Sequence, residues 1–82
     1  MESYPKLRQH FGKIVRDLRV KKGDSQQVMA DTCNFERAYI SRIERGLSEP
    51  SVTTIFKMSE YFGIAPGELT GMLYNLVRKT KK

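Results

Sequence analysis

The sequence predicts an all-α protein of five short helices in a single domain, 1–82. Three observations predict it. Apolar residues recur three or four apart in one segment after another, residues that start or stop helices stand at the segment ends, and no stretch sustains the period-two alternation of a half-buried strand. Pro5, Gly23, Asn34, Gly46, Pro50, Gly63 and Pro66 supply the punctuation.

The first segment, roughly Lys6 to Lys22, puts Leu7, Phe11, Val15 and Leu18 on one face with Ile14 beside them. Gly23 suits its C-terminal end, and Lys21 and Lys22 face the negative end of the helix dipole. The second starts at Asp24 or Ser25, either a good N-cap, and runs to about Thr32 with Val28, Met29, Ala30 and Cys33 inward. Asn34 stands where the chain turns, and asparagine tolerates left-handed backbone. The third, about Glu36 to Arg45, buries Ile40 and Ile43; Gly46 closes it. The fourth follows Pro50, with Ser51 as N-cap, and reaches Phe62 with Ile55, Phe56, Met58, Ser59 and Phe62 near the inner face; Gly63 ends it. The fifth has Pro66 at its first helical position and runs over about 66–79.

Fifteen Lys and Arg against nine Asp and Glu give a net charge of +6. That balance favours polyanions, nucleic acid before an anionic membrane. The apolar stretches are far too short to cross a bilayer and no signal-peptide pattern opens the sequence, so the expected location is cytoplasmic, with no membrane partner. Cys33 cannot form an internal disulfide and reads as a small core residue; His10 reads as a surface residue of the first helix. No phosphate loop, metal-ligand cluster or nucleophile with a base is visible, since His10 alone serves neither Ser25 nor Cys33. The expectation is a protein that is not an enzyme and holds no cofactor or metal.

Segments two and three have the dimensions of a helix-turn-helix over about 25–45, with small Ala30 at the contact and Ile40 and Ile43 anchoring the second helix. Pattern alone leaves open an ordinary pair of amphipathic helices. From about Phe11 to Leu69, however, the chain resembles the XRE family, typified by lambda and 434 repressors and Cro. The residues that carry the resemblance are Gly12, Arg16-Asp17-Leu18-Arg19, Lys22 to Ala30 with its Ser25-Gln26, the run Tyr39-Ile40-Ser41-Arg42-Ile43-Glu44-Arg45-Gly46, and Glu49-Pro50-Ser51. Departures are mild: Asn34 stands for the usual turn glycine and Met29 for leucine. The resemblance implies a five-helix lambda-repressor-like domain that binds double-stranded DNA as a transcriptional regulator.

It also implies roles. Gln26 resembles the family glutamine that touches phosphate, at a helix N-terminus suited to an anion. Arg37, Ala38, Ser41 and Arg42 fall on the base-reading face: arginine pairs bidentately with guanine, and Ala38 meets a thymine methyl or simply lets the helix approach the groove floor. Arg45 and Tyr39 are phosphate contacts, although Tyr39 and Arg42 equally fit packing against the following loop. Glu36 either accepts from a cytosine amino group or only starts the helix, and the second is favoured. Arg19 and Glu44 match two positions that pair across the domain to orient the recognition helix.

In the fifth segment Leu69, Met72, Leu73, Leu76 and Val77 form a stripe at i, i+3, i+4, i+7, i+8. Part of it, around Leu69, caps its own core; the far end suits a second copy, so these five residues are the expected homodimer interface. Arg78, Lys79, Lys81 and Lys82 make a basic tail, and Glu49 and Glu60 are acidic groups that RNA polymerase could meet. The run Arg37-Ala38-Tyr39-Ile40-Ser41 is similar to the Arg-Thr-Tyr-Ile-Ser of restriction-modification controller proteins. The competing class is a protein-interaction module, an antitoxin or adaptor, for which acidic or bulky residues on the recognition helix would be the mark.

Overall fold

Helices α1 (Leu7–Lys22), α2 (Gln26–Cys33), α3 (Arg37–Glu44), α4 (Val52–Phe62) and α5 (Pro66–Thr80) make up a computed structural model that describes residues 6–80. Pro5, Lys81 and Lys82 of the sequence reading lie outside the described residues. The boundaries have local causes. Ser25 Oγ accepts the Val28 N–H at 3.1 Å and Ser51 Oγ the Thr54 N–H at 3.0 Å, so each serine satisfies an orphan donor of the helix it opens. Asn34, at φ 61°, ends α2 in the left-handed region, and the Phe35 N–H reaches back to the Ala30 carbonyl at 2.8 Å. Before α5, Glu68 turns its carboxylate back onto the Ala65 N–H at 2.9 Å.

Phe11 and Val15 of α1, Met29, Ala30 and Cys33 of α2, Ile40 and Ile43 of α3, Met58 of α4 and Leu69 of α5 form one buried cluster. Burial pushes the Cys33 thiol pKa up, consistent with its place in the packed core. Tyr61 is raised too, first by burial and then by the hydrogen bond it donates to the Asp24 carboxylate.

Two expected core residues are not in the core. Val28 is 46% exposed and Phe56 59% exposed. A helix turns about 100° per residue. With Met29, Ala30 and Cys33 inward, Val28 falls outside the stripe; with Thr54 and Met58 inward, Phe56, two residues from each, points the other way. His10 is half-buried rather than on the open surface. Thr54, unread in the sequence, is buried, and its hydroxyl meets both Tyr39 and Ser51.

Glycine decides how closely α1 approaches α3. A Cβ on Gly12 would stand 2.3 Å from the Ile43 carbonyl oxygen and 2.7 Å from that of Glu44, both backbone atoms that cannot swing aside. Gly12→Ala should therefore lower stability by about 1–3 kcal/mol or more, as overpacking does. Gly71→Ala, on α5 with nothing within 4 Å of its Cβ position, should raise it by up to about 1 kcal/mol. Urea denaturation of both variants checks the contrast.

Candidate nucleic-acid interface

α3 is an eight-residue helix, too short to hold its shape in water alone. Its inner residues Ile40 and Ile43 are fully buried, and its end is held by charge. Arg19 of α1 donates from Nε to Glu44 Oε2 at 2.6 Å and from Nη2 to Oε1 at 3.0 Å, a two-pronged pairing. A third donor, Nη1, reaches the Asp24 carbonyl at 2.8 Å. The two side chains are 12% and 3% exposed. The hydrogen bond to Glu44 raises the Arg19 pKa against the opposing effect of burial.

The Glu44 carboxylate serves a second partner. Gln26, at the first position of α2, donates from Nε2 to Glu44 Oε1 at 3.0 Å, and its own Oε1 accepts from Arg37 Nη1 at 3.3 Å. Arg19, Glu44, Gln26 and Arg37 thus form a continuous chain of hydrogen bonds from α1 to the outer start of α3.

Arg37, Ala38, Arg42 and Arg45 are exposed on α3 and at its C-cap, with Ser41 half-buried among them. Arg42 donates from Nε to Ser48 Oγ at 3.3 Å and lies over the Tyr39 ring, 5.6 Å from its centroid. Arg45 turns back to the Ser41 hydroxyl at 3.2 Å and to its carbonyl at 3.3 Å. Tyr39 packs on Phe35 with ring centroids 5.0 Å apart, and its hydroxyl shares a 2.9 Å hydrogen bond with Thr54. That hydroxyl faces the scaffold in the free protein, the packing alternative for Tyr39. Glu36 is the extended N-cap of α3, and its side chain makes no capping hydrogen bond.

The residues expected at a dimer seam divide. Leu69 has 0% exposure in its own core and therefore has no surface to give a second copy; that part of the expectation is corrected. Leu73 packs against the same core, Met72 is 37% exposed, and Leu76 and Val77 are half-buried. Other exposed apolar residues were not legible in the sequence: Leu47, Val52 and Phe56 are 55%, 71% and 59% exposed. Val52 and Phe56 line one groove on α4 with Lys57, Glu60 and Ile64. Among the described residues, no group of three or more His, Cys, Asp or Glu could hold a metal, and no helix is long and apolar enough to cross a membrane.

Known proteins match this geometry. The Helix-turn-helix family covers residues 15–69. The control protein C.BamHI of Bacillus amyloliquefaciens is 41% identical over 64 residues, 77% of this chain and 79% of that protein. The crystal structure of the restriction-modification controller protein C.AhdI from Aeromonas hydrophila superposes with a TM-score of 0.72 at 35% identity, over 76% of this chain and 94% of that one. In fold alone, the chain is also like the controller protein C.Esp1396I, solved as a tetramer with its natural 35 base-pair operator: TM-score 0.77, 24% identity, over 93% of this chain and 97% of that one.

Arg19→Ala would strand the Glu44 carboxylate at a nearly buried site, and should lower the free energy of unfolding by about 3–5 kcal/mol. Replacing both residues by apolar ones of similar volume, Arg19→Met with Glu44→Leu, should recover most of that loss. Denaturant titration of the single and double variants measures it; an Arg19→Ala protein of normal stability would contradict the structural role.

Proposed function

The chain belongs to the helix-turn-helix family, and from that premise we propose that it is a sequence-specific transcriptional regulator, acting in the cytoplasm as a homodimer on a palindromic DNA operator. One observation carries the reading. The outer face of α3 presents Arg37, Ala38 and Arg42 to solvent while its inner face is sealed by Ile40 and Ile43. A short helix offering arginines and a small residue, on a chain of net charge +6, suits the major groove in shape and in sign.

In this reading Arg37 is the principal base reader and pairs with guanine; Ala38 permits close approach, and Ser41 and Arg42 contact neighbouring bases. Arg45 and the N-terminus of α2 at Gln26 face phosphate, while the Tyr39 hydroxyl stays on Thr54. The relatives named as control proteins favour a narrower role, controller of a restriction-modification system. An adaptor or antitoxin that has given up DNA is disfavoured by the three exposed arginines at Arg37, Arg42 and Arg45.

The second copy docks on the α4 face rather than along the α5 stripe. On α4, Val52 and Phe56 are far more exposed than Met72, Leu76 and Val77 of α5. The α4 groove also carries Lys57 and Glu60. A patch holding both signs is self-complementary under a two-fold axis, where one lysine can meet the other copy's glutamate.

Selection from random duplexes should return a palindrome with half-sites about one helical turn, 10–10.5 bp, apart. On that duplex Arg37→Ala should weaken binding by about 1–3 kcal/mol and relax preference at one base pair per half-site, read by gel shift at fixed salt. Unchanged preference would remove Arg37 from base reading. Phe56→Glu should leave the helical content intact and give a monomer in sedimentation, with affinity for the full palindrome reduced toward that for a half-site. A Phe56→Glu protein that stays dimeric would move the seam elsewhere.

A further inference from the structure

We propose that Ala38 is a methyl-reading subsite: the centre of the outer α3 face takes the C5 methyl group of a pyrimidine and accepts thymine and 5-methylcytosine alike. The inference rests on the reading of α3 as the helix that enters the major groove. It gives Ala38 a contact of its own, where that reading asks only for its smallness.

Helix geometry puts Ala38 at the middle of the face. Successive residues turn by about 100°, so the direction opposite the midpoint of Ile40 and Ile43 lies within about 10° of Ala38. Ile40 and Ile43 are fully buried and Ala38 is exposed. Arg37 and Tyr39 fall to either side of it. The three arginines around Ala38 are each drawn off the central line. Arg37 donates to Gln26 Oε1 of α2 at 3.3 Å. Arg42, one turn further along, lies over the Tyr39 ring and donates to Ser48 Oγ at 3.3 Å. Arg45 turns back onto the Ser41 hydroxyl at 3.2 Å. A cationic face thus carries an exposed methyl group at its centre.

That centre is where a helix laid in the groove comes nearest the base edges. Alanine brings no donor and no acceptor to it. A base edge presenting only polar atoms would lose its water there and gain no partner, which costs affinity. The apolar group that the major groove does offer is the C5 methyl of thymine. Cytosine methylated at C5 places the same group at the same position of the pyrimidine ring. A methyl contact has no means of telling the O4 of thymine from the N4 amino group of cytosine. The subsite therefore reads the methyl and not the base.

The test uses the full chain and the operator selected from unmodified random duplexes, with affinities from fluorescence anisotropy at one salt concentration. Deoxyuridine replaces each thymine of the half-site in turn, in both half-sites at once, which removes a methyl group and nothing else. One position should be sensitive, with affinity falling about fourfold per half-site, the worth of one buried methyl group. With cytosine opposite guanine at that position, 5-methylation should strengthen binding by the same factor. Both series need only the unaltered protein. Ala38→Gly then removes the protein's half of the contact, and its preference for thymine over deoxyuridine at that position should fall to within about twofold of none. Because this ratio compares two duplexes on one protein, any loss of helix stability from the glycine cancels. Indifference to deoxyuridine at every thymine would overturn the proposal. So would 5-methylcytosine binding no better than cytosine, or an Ala38→Gly protein that keeps the full thymine preference. A protein with no sequence preference at all loses the reading of α3 and this inference together; one that selects an operator yet ignores the methyl loses the inference alone.

Discussion

The docking of α3 against α1 is the constraint from which the rest of the structure follows. It has two parts of opposite character. At Gly12 the backbones meet with no room for a methyl group, and 25 residues separate the ion pair Arg19–Glu44 that fastens the far end. The apolar contacts of Ile40 and Ile43 hold α3 down, but hydrophobic burial is non-directional and would tolerate a small rotation of the helix. A two-pronged hydrogen-bonded pair does not. Buried ion pairs add little net stability because desolvation offsets the attraction. Orientation is the better account of this one.

Orientation matters because the outer face of α3 is not a loose fringe of charge. Each of its arginines has a tether in the free protein: Arg37 on Gln26, Arg42 on Ser48 and the Tyr39 ring, Arg45 on Ser41. Single contacts of this kind are weak in water, yet each narrows the rotamers of a long side chain and leaves donors free. Tyr39 links two of these devices, since its ring lies beneath Arg42 and its hydroxyl meets buried Thr54 of α4. The same helix therefore ties the reading face to the element bearing the exposed apolar patch of Val52 and Phe56.

Much of this was legible in the sequence, and the reasons differ by element. Helix number and ends followed from local chemistry: Ser25 and Ser51 as N-caps, Gly23 and Asn34 where left-handed backbone is needed. Inward and outward faces were less certain in α2 and α4, because adjacent apolar residues such as Val28 with Met29, or Ile55 with Phe56, satisfy a periodic pattern either way. Only packing against a third element decides, and it left Val28 and Phe56 in solvent. In α5 the stripe from Leu69 to Val77 is continuous in sequence but serves two environments, its first residue being consumed by the core of its own chain. No spacing rule joins Arg19 to Glu44; the family resemblance alone named them together. The Glu44–Gln26–Arg37 connection had no sequence signal at all, since it depends on where α1, α2 and α3 converge.

The claim that most needs testing is that α3 enters the major groove with its arginines on base edges. Methylation interference at guanine N7 tests it most directly, because that atom lies only in the major groove and is an acceptor for arginine. On the selected duplex, N7 methylation of one guanine in each half-site should abolish binding, symmetrically about the two-fold centre. Binding indifferent to N7 methylation at every guanine would contradict the account.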